Sequence, residues 1–181
     1  MKIYFVRHGQ TVSNKKGTVT GHIDSPLSDE GVEQTKKTAL EISSNFSYIY
    51  CSDLLRCKQT AEILNQKLNL SIQYDARLRE RDFGSLSGKK FSEIDSTGKV
   101  KERDKNQLYN YRPYGGESVE DVKKRLFNFI NDLSRKKTQG KILVVTHGGI
   151  IRLLHNILDN QVHGEILNSS IHEFDFPDKA F

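Results

Sequence analysis

The sequence predicts an α/β fold, a three-layer α/β/α sandwich with a mainly parallel central sheet. Three observations carry that expectation. Short runs rich in β-formers alternate with stretches of helical periodicity, and glycine, asparagine and proline punctuate the joins. Neither a repeat nor a low-complexity linker interrupts the 181 residues, so one domain over 1–181 is expected.

Residues 2–7 read as a buried strand, too short for a helix. Residues 9–27 hold Gly9, Gly17, Gly21, Asn14 and Pro26 and read as loop, with a turn of helix near Thr11–Asn14. Ser28 is a candidate N-cap for a helix over about 29–44, with Val32, Ala39, Leu40 and Phe46 roughly in period. Tyr48–Cys51 is the second strand. Ser52 or Asp53 is expected to cap a helix through Leu68, on which Leu54, Cys57, Ala61, Leu64 and Leu68 share one face. A third strand falls at 71–75. From 77 to 116 glycines, charges and aromatics mix, with short helices expected near 89–95 and 99–109; the segment 85–114 reads as a lid-like insert rather than core. Ser118 and Asp121 form a capping box for a helix to about Arg135, with Val119, Val122, Leu126, Phe129, Ile130 and Leu133 inward. Its acidic start and its Arg135-Lys136-Lys137 end suit the helix dipole. A strand at 141–146, a helix at 149–158 and a last strand near 171–176 complete the order.

Composition narrows the function. Lys plus Arg number 28 and Asp plus Glu 23, a net charge of +5, which suits an anionic ligand but lacks the dense basic runs of a nucleic-acid binder. The two cysteines, Cys51 and Cys57, are too few for a disulfide scaffold and read as small buried apolar side chains. The chain opens on Met1-Lys2 and a strand, without the apolar stretch of a signal peptide and without a run long enough to span a bilayer, so a cytoplasmic location is expected.

Two strands each deliver a histidine to a glycine turn. Arg7-His8-Gly9 follows Ile3–Val6, and Thr146-His147-Gly148-Gly149 follows Ile142–Val145. Carboxyl ends of strands are where α/β sheets bind ligands. Guanidinium pairs bidentately with phosphate oxygens, and neutral imidazole is a competent nucleophile near pH 7. Arg56 adds to this. It lies in the first turn of its helix, where the exposed N–H groups already make the end positive. Either Arg56 and the helix end bind one anion, or Arg56 swings out to Asp53 or Glu62. The proton donor that phosphoryl transfer needs is sought in Glu80, flanked by Arg79 and Arg81 and near Leu78 and Phe83; a surface salt bridge is its other reading. Neither an H-E-x-x-H motif nor a Cys/His cluster occurs.

Taken in order, these motifs resemble the histidine phosphatase superfamily, the phosphoglycerate mutase-like proteins. Arg7-His8-Gly9-Gln10-Thr11 with Asn14 resembles its first signature, and Thr20–Ser28 its next loop. Ser52-Asp53-Leu54-Leu55-Arg56 resembles its S-x-L-x-R element, and Glu80–Gly84 its acid loop. Gly115-Gly116-Glu117-Ser118 and Val145–Gly149 complete the series. The resemblance implies roles. His8 is the nucleophile; Arg7, Arg56 and His147 hold the phosphoryl oxygens; Glu80 is the acid and then the base. Asn14, Thr20, Gly21 and Gly148 contact phosphate or substrate. No metal and no cofactor is implied. His22, His155, His163 and His172 are left as structural or surface residues.

Family mutases are longer between the acid loop and G-G-E-S, and shield the phosphoenzyme from water. Here Gly84 and Gly115 stand 31 positions apart, which favours a phosphatase, with a phosphoglycerate mutase or a weakly catalytic phosphate-binding module as alternatives. The short form resembles α-ribazole phosphatase, the metal-independent phosphoserine phosphatases and the broad-specificity phosphatases alike. Segment 85–114 carries seven basic residues (Lys89, Lys90, Lys99, Lys101, Arg103, Lys105, Arg112) against four acidic ones, and reads first as a solvated amphipathic cover. The expected partner is a small phosphorylated metabolite, not nucleic acid or membrane, and the expected assembly a monomer or homodimer.

Overall fold

The computed structural model describes residues 1–136, 140–162 and 164–176; Lys137 and His163 lie outside them. Five strands form one sheet: β1 (Lys2–Arg7), β2 (Phe46–Cys51), β3 (Ile72–Tyr74), β4 (Lys141–Thr146) and β5 (Ile171–Asp175), in the order β3-β2-β4-β1-β5. Every pairing is parallel except β1 with β5, which makes β5 the antiparallel edge.

Side chains alternate across the strands and sort the core into two clusters. On one face Ile3, Phe5, Tyr50, Ile142 and Val144 pack against α6 (Val119–Arg135) and α7 (Gly148–Leu158). On the other, Val6, Ile49, Cys51, Leu143 and Val145 pack against α3 (Leu55–Leu68), with Ile42 at the end of α2 (Asp29–Glu41). The three layers follow from that alternation. All five expected stripe residues from Leu54 to Leu68 are buried, as are all six of α6, and Ser118 with Asp121 closes the expected capping box.

The structure corrects three local readings. In α2 the inward positions are Gly31 and Thr35, while Leu40 is 81 % exposed and Phe46 begins β2. A Cβ at residue 31 would lie 2.0 Å from the Gln10 carbonyl oxygen, so this helix docks through its smallest residue rather than an apolar stripe. Neither Ser52 nor Asp53 caps α3. Leu54 is the N-cap residue, and Asp24 accepts the Leu55 N–H at 2.9 Å. Segment 85–114 is also not simply outside the core. It forms α4 (Phe91–Ile94), α5 (Lys99–Lys105) and short 3₁₀ turns, but Leu86, Tyr109 and Tyr111 join the larger core cluster. A one-turn helix, α1 (Val12–Lys15), follows His8, capped by Thr11. Among the described residues no helix is long and apolar enough to cross a membrane.

Candidate active site

Because β1 and β4 are parallel neighbours with Arg7 opposite Thr146, both turns leave the sheet at one end. The His8 N–H donates to the Thr146 carbonyl at 3.0 Å, and the His8 and His147 rings meet at 5.2 Å between centroids. Histidines far apart in sequence thus become neighbours through one strand pairing.

His8 is 4 % exposed, and its Nδ1 lies 2.8 Å from the Gly9 carbonyl oxygen. A carbonyl only accepts, so Nδ1 carries the proton and Nε2 keeps its lone pair. Burial first, then Arg56 and Arg7, pushes the His8 pKa well below its ordinary value, so the ring is neutral near pH 7. His147 is arranged the opposite way. Arg56 Nε donates to its Nδ1 at 3.3 Å, so Nε2 holds the proton and donates to the Ser52 hydroxyl at 2.9 Å. Burial, then Arg56 and His8, likewise hold His147 far below the usual range. Cys57 Sγ sits 3.4 Å from His147 Nε2, but burial pushes that thiol up to about 12, which leaves it unreactive.

Arg56 decides between its two sequence readings. It is 1 % exposed and turns inward, donating to the Gly21 carbonyl at 2.7 Å and the Ile23 carbonyl at 3.0 Å. Of its two suggested surface partners, Asp53 is held by Arg79 instead, and Arg56 makes no ion pair with Glu62 among the described residues. Arg7 donates to the Ile166 carbonyl, while its buried Nε has no hydrogen-bond partner among the described residues. Such a donor awaits an acceptor. Gly148 lies against it: a Cβ there would be 3.2 Å from Arg7 Nε.

Glu80 is seated at the start of α7. Its Oε2 accepts the Gly149 N–H at 3.0 Å and its Oε1 the Arg81 N–H at 2.9 Å. A Cβ at residue 149 would lie 2.1 Å from Oε1, so only glycine lets the carboxylate approach. Burial raises the Glu80 pKa, but Arg81, the two N–H groups and Arg56 outweigh it and hold the carboxyl below its ordinary value. The surface-pair reading of Glu80 is thereby replaced by a half-buried seat on two backbone N–H groups.

The remaining expected residues are placed as follows. Asn14 closes the cap of α1, its side-chain oxygen accepting the Thr11 N–H at 3.1 Å. Thr20 is half-buried, and its carbonyl accepts the Ile23 N–H at 2.8 Å. Gly21 joins the cluster through its carbonyl on Arg56. Among the described residues no hydrogen bond ties Asn14 or Thr20 to His8, Arg56, Glu80 or His147.

Sequence reasoning missed a supporting set. Arg125 of α6 donates to the carbonyls of Arg77 and Arg79, both at 2.7 Å, and of Glu80 at 3.0 Å. Glu117 holds Arg125 at 2.8 Å and accepts the Asp82 N–H at 2.9 Å. His22 donates to the Glu80 carbonyl at 2.8 Å. These groups clamp the acid loop. The signal lay in α6, where a cation at 125, one turn after Val122, interrupts an apolar face. Ser52, read as a cap, instead fixes the His147 tautomer.

A pocket of about 560 Å³ opens on Arg7, Glu80 and the two glycines of α7. Its other walls include Phe91, Lys101 and Lys105 from the cover and Arg152 from α7. The two imidazoles are buried and are not among its walls. Of the seven basic residues in 85–114, only Lys101 and Lys105 face this pocket; Lys89 and Arg103 line a separate cavity of about 250 Å³.

The histidine phosphatase superfamily (branch 1) family model matches residues 3–179. Among curated relatives, phosphoglycerate mutase-like protein 4 of Arabidopsis thaliana is 32 % identical over 183 residues, covering 96 % of this chain and 78 % of the relative. The fructose-2,6-bisphosphatase TIGAR of Xenopus tropicalis is 38 % identical over 136 residues, 72 % of this chain and 48 % of its own. A mycobacterial glucosyl-3-phosphoglycerate phosphatase, solved in complex with VO3, superposes with a TM-score of 0.86 at 28 % identity over 95 % of this chain and 91 % of its own.

Proposed function

Since the chain belongs to the histidine phosphatase superfamily, we propose that it is a metal-independent phosphomonoesterase working through a phosphohistidine on His8. One observation carries the reading: a neutral His8 whose Nδ1 is tied to Gly9 leaves Nε2 as a nucleophile beside buried guanidinium donors. In the first half-reaction Nε2 bonds to phosphorus, the ester P–O bond breaks, and Glu80 gives its proton to the leaving oxygen. Arg7, Arg56 and His147 stabilise the equatorial oxygens, with Asn14, Thr20, Gly21 and Gly148 as further contacts to phosphate or substrate. In the second, water attacks phosphorus, the P–N bond breaks, and the Glu80 carboxylate takes the water proton. A phosphate dianion set beside Glu80 opposes the cations that hold it ionised and raises its proton affinity, which suits the first role.

The substrate class is a small phosphorylated metabolite with an anionic or polar leaving group, because Lys101, Lys105 and Arg152 line the pocket next to Glu80. Segment 85–114 acts as its lid. The mutase-like relative keeps phosphoglycerate isomerisation as a second reading; the short cover, which admits water, favours hydrolysis.

The test is phosphate release from p-nitrophenyl phosphate in EDTA, with rapid-quench capture of labelled enzyme. Wild type should turn over and carry acid-labile label, and His8→Ala should carry none. A strict metal requirement, or equal labelling of the variant, would defeat the mechanism. Interconversion of 3- and 2-phosphoglycerate faster than hydrolysis would select the mutase.

A further inference from the structure

Helix α5 of the cover is charged on nearly every residue, yet it sends one of them inward. Lys101, Arg103 and Lys105 are exposed, while Asp104 is 5 % exposed. Its Oδ1 accepts the Tyr111 hydroxyl at 2.6 Å and lies 3.3 Å from Arg81 Nη1. On its other side Arg81 brings Nε to 3.7 Å from Glu80 Oε1. The guanidinium is buried over the Tyr109 ring, 4.4 Å from its centroid. Neither Nε nor Nη1 completes a hydrogen bond among the described residues. One cation therefore hangs between two carboxylates, committed to neither.

We propose that Asp104 is a positioning residue for the proton donor: by sharing Arg81 with Glu80 it divides that cation between the cover and the acid, so that docking of α5 tunes the acid. The proposal rests on Glu80 being the proton donor. The other groups facing Glu80 are Arg7 from β1, Arg56 and Cys57 from α3, Arg152 from α7 and Tyr109 from the cover. Those facing Asp104 are Tyr109, Tyr111 and Arg152, besides Arg81. Of all these, Arg81 alone is in ion-pair contact with both acids. Removing the Asp104 charge releases Arg81 wholly to Glu80, which then gives up its proton at lower pH.

The experiment compares the single-turnover rate of phosphoenzyme formation at saturating substrate against pH for two esters, p-nitrophenyl phosphate and glycerol 2-phosphate, because that rate reports the acid in the enzyme–substrate complex. The nitrophenolate leaves without a proton and the alkoxide does not. Asp104→Asn should move the alkaline limb down by about one pH unit and cost the alkyl ester about tenfold more than the aryl ester. Asp104→Glu should restore both. Arg81→Met should move the limb the other way, and adding Asp104→Asn to it should move the limb no further; an unmoved limb in Arg81→Met would overturn the proposal even if Asp104→Asn alone does not fold. Equal losses on both esters with an unmoved limb would overturn the proposal. Glu80→Gln separates it from its premise: if that variant still cleaves the alkyl ester at the wild-type rate, the proton donor is misassigned, whatever Asp104 does.

Discussion

Around His8 the chain is packed until only glycine fits, whereas across 85–114 it runs in one- and two-turn helices with most of its charges in solvent. A Cβ at residue 9 would lie 2.5 Å from the Gly31 carbonyl, and one at residue 149 would strike Glu80. Nothing comparable constrains Gly98 in the cover, where a Cβ meets no atom within 4 Å. The cradle spends its tight packing on groups that any phosphate monoester needs. The cover supplies walls, cations and aromatic rings, which distinguish one leaving group from another. The contrast teaches that kcat should be the property of the first region, into which Asp104 reaches from α5, and substrate preference that of the exposed charges of the second.

Arg56→Ala is the strongest way to break that contrast. Arg56 anchors Gly21 and Ile23 and orients His147, so its loss removes a transition-state donor and loosens the rim of the cradle. A fall of about 10²–10³ in kcat is expected, with KM changing far less. Arg56→Lys should recover little, because one ammonium cannot reach two carbonyls and an imidazole together. An effect below about threefold would make Arg56 a structural anchor of Gly21 and Ile23 rather than a transition-state donor.

Stability against pH gives a middle-sized test. His8 and His147 are both buried neutral, with folded pKa values depressed, so the native state binds fewer protons than the unfolded chain below about pH 6.5. Their contribution is complete above that pH and is lost as pH falls toward the folded values. The expected slope is up to about 1.4 kcal/mol per pH unit for each ring, read from urea unfolding at about pH 7.5 and 5.5. Flat stability across that window would show that the rings charge without cost, and the cradle would then be no more desolvated than the cover.

Much of this was legible in the sequence for identifiable reasons. The α3 and α6 stripes are short-range patterns, and β1 and β4 announce themselves by apolar runs ending in His-Gly. Arg56 was legible as a paradox, a cation at a positive helix end, although the local pattern left open which way it turned. What escaped depends on partners distant in sequence. That Asp24 rather than Ser52 or Asp53 caps α3 follows from the loop folding back over the helix. Leu40 is exposed because Gly31 must touch the Gln10 backbone. Arg125 clamps three carbonyls of a loop about 45 residues earlier, which periodicity registers only as an interrupted stripe. Tyr109 and Tyr111 are buried because Asp104 and Arg81 give a hydroxyl and a ring face their partners inside.

The smallest expected effect sharpens the comparison from the cover's side. Lys101 and Lys105 are exposed on α5 and line the pocket beside Glu80, yet neither holds an ion-pair partner among the described residues. An ammonium in that position attracts an anionic leaving group in ground and transition states alike. Such uniform binding lowers KM without changing kcat. Lys101→Ala with Lys105→Ala should therefore raise KM for phosphoesters of carboxylic acids by about three- to tenfold at low salt, with kcat held and with neutral alcohol phosphates little affected. Added salt should shrink the difference between wild type and variant, since both charges stand in solvent. A drop in kcat shared by charged and neutral esters would place the exposed lysines of the cover inside the chemistry, and the division between them and the cradle would have to be redrawn.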